Sequence, residues 1–291
     1  MFEIMTDTSA NLDCQLLAER TITCIPFSFL VGGKDQTCTD THAFDGKAFF
    51  NAMRAGEKVV TSQITPQRYI EYMRPALEQG HDILFVGMSS GISGAHASAQ
   101  MAAAELREAF PERKLLLVDT LCASLGEGLL VLRGADLRDA GVSLEDTWAE
   151  LDALRHNMCQ VFAVDDLKYL RATGRLSDIK TVIASVLQIK PLLKGDTEGK
   201  IVCFAKTRGK RGVIQALAAE YDRTVTDAGA QTVGIAHADC PEDAAALAEL
   251  LRRNHPPKDI MIQCYEPVTG SHVGPGTLAL FFLGDAAFRS R

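Results

Sequence analysis

The sequence has no surplus of positive charge, no closely spaced cysteine pair and no apolar run long enough to cross a bilayer. Each absence excludes a class of function. Lys and Arg number 30 against 37 Asp and Glu in 291 residues, a net charge of -7. Nucleic-acid binding draws on a surplus of Lys and Arg along one face, so no nucleic-acid partner is expected. The eight cysteines stand at 14, 24, 38, 122, 159, 203, 240 and 264, and no two lie within three residues. That spacing fits neither a zinc knuckle nor a redox pair, so the expectation is free thiols in a reducing cytoplasm and no metal. No window reaches the ~18 apolar residues of a membrane span. The opening MFEIMTDTSA carries Glu3 and Asp7 where a secretory core would be apolar. At most transient membrane contact is expected. Phosphate loops are missing too. No G-x-x-x-x-G-K-[ST] occurs, and Gly126-Glu127-Gly128 lacks a third glycine and falls inside a helical stretch.

Hydrophobic residues make up 47% of the chain, enough for a sizeable core, and the length is near two average domains. In the first half, short apolar runs alternate with helical patterns. FEIM (2–5) reads as a strand and SANLDCQLLAER as a helix capped by Ser9. ITCIPFSFLVGG (22–33) reads as a strand ending in a Gly32-Gly33 turn. AFDGKAFFNAMRAG (43–56) is helical, VVTSQIT (59–65) extended, and Pro66 opens a helix to about Gln79. DILFVGMSS and KLLLVDT read as buried strands, with a helix starting near Ser93. This alternation predicts a parallel sheet with helices on both faces. A polar helix, SLEDTWAELDALRHN, precedes the expected boundary between domains 1–155 and 156–291. Beyond it come a strand (159–167), a hairpin (190–209) and a strand–helix–strand unit (231–268), the pattern of an α+β domain with a mixed sheet.

The sharpest local signal is VGMSSGISGAHASA (86–99), where a strand runs into Ser89, Ser90, Gly91, Ile92, Ser93 and Gly94. One reading makes Ser93 the nucleophile of an acyl hydrolase. Against it, the nucleophile elbow needs G-x-S-x-G, and no local motif supplies a base held by an acid. A second reading is anion holding without chemistry. Glycines let the backbone approach a ligand, the first N–H groups of the helix point outward, and Ser93 adds a hydroxyl donor. Ligands in open α/β sheets sit just beyond the carboxyl ends of the strands, which is where Ser93 falls. A plain N-cap explains one serine but not the whole run.

Thr61 and Ser62, before the Pro66 helix, either serve a ligand or cap that helix. His272 stands in Thr269-Gly270-Ser271-His272-Val273-Gly274-Pro275-Gly276, read as a rigid special loop in which a histidine can donate to an anion or act as acid or base. Arg175 follows Gly174 and either points at an anion or braces the fold. Lys206, Arg208, Lys210 and Arg211 form the dense positive patch, either a solvated loop or a docking site for an acidic or phosphorylated partner.

Taken together these stretches resemble the DegV family of bacterial fatty-acid-binding proteins. The matching pieces are Thr6-Asp7-Thr8-Ser9-Ala10-Asn11-Leu12, Thr61-Ser62-Gln63, SSGISGAHASA, VDT at 118–120, DLKYLRATGRLS at 166–177, LQIKPLL at 187–193 and His272-Val273-Gly274-Pro275-Gly276, in the family's order over nearly the whole chain. The resemblance implies two α/β domains with a lipid between them. It also implies one bound long-chain fatty acid, no cofactor, and a separate fatty acid kinase that receives the carboxylate and forms an acyl-phosphate for phospholipid synthesis. By the same resemblance Thr61 and Ser93, beside Gly94, bind the carboxylate, with His272, Ser62 and Arg175 completing the polar network, and the basic cluster faces the kinase. The chain departs from the family pattern at Ala95 and His96, where Thr and an aromatic are common, at Thr8, and at Ser271.

Overall fold

A computed structural model describes residues 2–176 and 189–290; Ser177, Leu187 and Gln188 of the motifs above lie outside the described residues. The chain runs through β1 (Phe2–Asp7), α1 (Cys14–Glu19), β2 (Ile22–Ile25), β3 (Ser28–Val31), β4 (Lys34–Thr37), α2 (Gly46–Arg54), β5 (Val60–Ser62) and α3 (Pro66–Glu78). It continues through β6 (Asp82–Gly87), α4 (Ala95–Ala109), β7 (Leu115–Asp119), α5 (Leu125–Asp139), α6 (Leu144–Leu154), β8 (Met158–Ala163) and α7 (Lys168–Ala172). The remainder is β9 (Ile189–Gly195), β10 (Ile201–Arg208), α8 (Gly209–Thr224), β11 (Thr232–His237), α9 (Pro241–Asn254), β12 (Asp259–Cys264), α10 (Pro267–Val273), β13 (Leu278–Leu283) and α11 (Ala287–Ser290). Two compact units result, Met1–Phe44 with Val59–Arg155, and Asp45–Lys58 with His156–Arg291.

The first unit is built on a parallel sheet in the order β2-β1-β6-β7. Ile83 to Gly87 of β6 are all buried, as a near-continuous apolar run must be when both faces of a parallel strand are covered. α4 turns Ala99, Ala102, Ala103 and Leu106 inward at helical spacing, which fits an amphipathic surface helix. A second sheet, β4-β3-β5, is antiparallel and pairs Phe29 with Thr61. It divides the single strand read over 22–33: Pro26 has no N–H for a ladder, and the chain leaves the parallel sheet there.

The helix expected to start at Ser9 is also corrected. Thr8–Ala10 form one 3₁₀ turn, Asn11 takes a left-handed conformation (φ 56°), and α1 starts later, capped by Asp13 Oδ1, which accepts from Gln15 N at 2.8 Å. The Ser9 hydroxyl is drawn inward to Asp7 and Glu127 and caps no α-helix.

The second unit carries a six-stranded mixed sheet, β10-β9-β8-β13-β11-β12, in which β11 and β12 run parallel and the other neighbours antiparallel. Its core includes Val161, Leu192, Leu217, Ile235, Leu280 and Phe282. The expected hairpin is β9–β10, its turn held by Asp196 Oδ1, which accepts from Glu198 N and Lys200 N at 2.9 Å each. α2 belongs to this unit: the Phe50 ring is fully buried against Gly270, and Arg54 pairs with Asp239.

In the first unit, α5 passes so close to the 3₁₀ turn that a Cβ on Gly128 would lie 2.5 Å from the Ala10 carbonyl oxygen and 2.9 Å from Leu12. Gly128→Ala is therefore expected to destabilise by about 1–3 kcal/mol, although alanine is the better helix former. Urea unfolding checks this; an unchanged midpoint would show that α5 can retreat without cost.

Candidate functional site

At the carboxyl end of β6 the chain makes a tight turn organised by Ser89. Its N–H donates to the Cys122 carbonyl at 2.8 Å, its carbonyl accepts from Ser93 N at 3.2 Å, and its hydroxyl accepts from Gly91 N at 3.1 Å. Asp119 Oδ1 holds Ser90 N at 3.1 Å. The helix starts at Ala95, not at Ser93: Ser93 Oγ accepts from Ala95 N at 3.1 Å, outside the helix proper. That hydroxyl keeps its own hydrogen to donate. No histidine ring or carboxylate hydrogen-bonds it among the described residues, so the base that a nucleophile needs is not beside it.

β5 reaches the same turn through its next residue. A Cβ on Gly94 would lie 2.2 Å from Gln63 Oε1, and Gln63 Nε2 donates to Ser98 Oγ at 3.2 Å. Glycine at 94 is what lets the Gln63 amide lie across the start of α4. Thr61 and Ser93 are thus on neighbouring segments joined by Gln63. Alternation along β5 puts half-buried Thr61 and exposed Ser62 on opposite faces, so a ligand seated on the Thr61 hydroxyl does not meet the Ser62 hydroxyl from the same side. Burial holds the pKa of His96, one residue into α4, below the ordinary histidine value, and Arg155 adds to the effect against the opposing pull of Asp119.

In the second unit, Thr269 to Val273 are not the loop read from three glycines and a proline. They form α10, because Pro267 sits in the first turn and the buried Glu266 carboxylate accepts from Val268 N (2.6 Å) and Thr269 N (2.5 Å). His272 lies in the last turn, and the chain leaves through Gly274 at φ 80°. Arg175 stands after α7, donating from its guanidinium to the Thr173 carbonyl, and its charge acts on His272. Lys206, Arg208, Lys210 and Arg211 are all exposed, running from β10 into α8, with Lys210 paired to Asp243 at 3.1 Å.

Glu127 was passed over in the sequence as part of a failed nucleotide motif. It is fully buried with Asp7, Thr6 and Tyr69. A glutamate inside an apolar helical pattern was the one signal that could have found it. Among the described residues, Asp13, Cys14 and His42 of the first unit place possible metal-ligand atoms within 4.8 Å of one another, but Asp13 already caps α1 and accepts from Thr41 Oγ1 at 3.2 Å.

The model of the DegV family of uncharacterised proteins matches residues 1–285. A DegV domain-containing protein of Clostridium perfringens is 36% identical over 284 residues, 98% of each chain. The chain belongs to the DegV family. Among solved structures, a DegV protein of Thermus thermophilus described for its fatty acid binding superposes with a TM-score of 0.85 at 28% identity, over 98% of this chain and 99% of that one. DegV of Bacillus subtilis, a fatty acid binding protein, gives 0.81 at 26%, over 98% and 99%. The parallel four-stranded and mixed six-stranded sheets are therefore the DegV fold.

Burial, aided by the Arg175 charge, lowers the pKa of His272 to about 4. The folded state thus keeps the ring neutral where the unfolded chain takes up a proton. Stability from this site is present above the ordinary histidine range near 6.5 and is lost as pH falls toward about 4. A histidine NMR titration should show the His272 ring unprotonated at pH values where exposed histidines are fully charged. Titration alongside them would refute its burial.

Proposed function

We propose that this chain binds one long-chain fatty acid and presents its carboxylate to a fatty acid kinase for acyl-phosphate formation, acting as a carrier without turnover of its own. The observation that carries this reading is the meeting of β5 and the start of α4 through Gln63, Gly94 and Ser98, in a fold shared with fatty-acid-binding relatives. Supporting this reading, Ser93 Oγ lies at the start of α4, where the first N–H groups have no carbonyl one turn back to bond, and Thr61 stands two residues before the Gln63 that reaches it.

A buried carboxylate is costly unless donors meet it. Ser93 suits that role, since its oxygen already accepts and its hydrogen is left to give. For His272 and Arg175 of the second unit the reading, by the family resemblance, assigns the neutral ring as a donor and the guanidinium as a charge for a fatty acid carboxylate. Ser62 joins through its backbone. Lys206, Arg208, Lys210 and Arg211 are assigned to docking an acidic face of the kinase. The tail dominates affinity: at about 0.8 kcal/mol per CH₂, a tail of about 16 carbons contributes on the order of 10 kcal/mol before ordering costs. The head-group residues chiefly set orientation.

Native mass spectrometry of the purified protein, followed by denaturation and identification of what is released, tests the reading. A one-to-one adduct released as a free fatty acid is expected. A protein that binds no added fatty acid would overturn the proposal, as would an adduct that stays covalently attached to Ser93 after denaturation. Thr61→Val and Ser93→Ala should each weaken fatty acid binding by about 10- to 100-fold, the worth of one hydrogen bond to a charged group, without loss of fold.

A further inference from the structure

Two carboxyl groups are buried together in the first unit, Asp7 at 1% exposure and Glu127 at 0%. Ser9 Oγ lies 2.5 Å from Asp7 Oδ1 and 2.5 Å from Glu127 Oε2. A serine hydroxyl has one hydrogen and can serve one of these contacts. The other needs a hydrogen from a carboxyl group. Asp7 is ill placed to supply it, because both its oxygens face N–H donors: Ser9 N to Oδ1 at 2.9 Å and Met88 N to Oδ2 at 3.3 Å. Glu127 accepts from Thr6 Oγ1 at Oε1 (3.2 Å), which leaves Oε2 to carry the proton.

A third group looks into the pair. Tyr69 of α3 is fully buried, its hydroxyl has no hydrogen-bond partner among the described residues, and burial together with the Asp7 charge raises its pKa. Its ring packs edge-on against Phe85, 5.2 Å between centroids.

We propose that Glu127 and Asp7 hold one proton between them, Glu127 as the neutral acid and Asp7 as the carboxylate, and that this proton locks the Met88–Ser93 turn in place. The line of bonds is direct. Glu127 donates to Ser9, Ser9 donates to Asp7, and Asp7 holds Met88 N at the root of the turn that Ser89 organises. Glu127 is thus a positioning residue for that turn, whatever ligand the turn meets.

The groups that face the pair are Thr6 and Ser9 around β1, the Met88 backbone after β6, and Tyr69, whose pKa burial, joined by the Asp7 charge, pushes up. Burial raises both carboxyls. The bonds from Ser9 and Met88 pull Asp7 back, while the Asp7 charge pushes Glu127 further up. The first turn of α5 favours the ionised glutamate only modestly. With the folded pKa of Glu127 above its unfolded value, stability is fully present below the ordinary carboxylate range and is lost as pH rises through the folded value.

Glu127→Gln keeps one acceptor and one donor in the same places and removes the titration. Asp7→Asn turns an amide group toward N–H donors. An infrared difference spectrum of wild type against E127Q at about pH 7 should show the C=O band of a neutral carboxylic acid, present in the wild type alone. E127Q should melt within a few degrees of the wild type near neutrality, and D7N about 10 °C lower. Raising pH from about 5 to about 10 should lower the wild-type Tm and the amide protection of residues 88–93 relative to E127Q. Absence of the neutral-acid band would overturn the proposal. So would damage from E127Q equal to that from D7N, or a gap between wild type and E127Q that does not change with pH. If D7N does not fold, the band and the E127Q pH profile decide alone. None of these readouts uses a fatty acid, so their failure is separate from failure of the carrier reading.

Discussion

The Asp7 carboxylate, dry at the end of β1, is the interaction on which the working edge of the first unit depends. A buried carboxylate costs several kcal/mol unless donors surround it. Ser9 N, Ser9 Oγ and Met88 N do so, and each belongs to a segment that must then stay where it is. Through Ser9 the carboxylate fixes the 3₁₀ turn, whose Ala10 carbonyl sits against Gly128 of α5. Through Met88 it fixes the exit of β6, and with it the Ser89 hub and the Ser93 hydroxyl. One carboxylate, placed where water cannot screen it, sets two backbone segments at once.

The second unit uses the same device at a different place. Glu266, 2% exposed, bonds two N–H groups at the start of α10 and turns a glycine-rich stretch into a helix. The Ser271 hydroxyl donates back to the Val268 carbonyl at 2.8 Å, and Gly274 ends the helix in a conformation that glycine adopts without strain. The helix delivers His272 to a half-buried position beside the Arg175 charge. Burial and charge act in the same direction there, so the imidazole is held neutral. A neutral ring donates from one nitrogen only, which is a different chemical tool from the imidazolium that an exposed histidine offers at mild acidity.

Much of this was readable from residue order. The parallel strands showed as apolar runs, Pro66 marked the first turn of α3, and the Gly195–Gly199 turn announced a hairpin. The Ser-Gly run was visible as a turn between a strand end and a helix because two glycines and a serine coincide there. The misreadings have local physical causes. Ser9 looks like a helix cap, but a cap is only one use of a hydroxyl, and two buried carboxyls compete for it. Thr269–Gly276 looks like a loop because its glycines outweigh the capping carboxylate three residues before Thr269. Gln63 belongs to a stretch that carries the family resemblance, but its contact comes from lying against a glycine 31 positions later, where no side chain blocks it.

The sequence by itself determined the class of the chain and most of the order of its strands and helices, because periodicity, turn chemistry and burial preference act over a few residues. Only the tertiary structure decided which polar groups share a dry space. Asp7 and Glu127 are 120 residues apart and meet because β1 and α5 pack together in one unit. Once water is excluded there, hydrogens must be counted contact by contact. That count depends on three-dimensional neighbours, which is why a glutamate that looked like part of a failed glycine motif proves to be the proton holder proposed for the turn that carries Ser93.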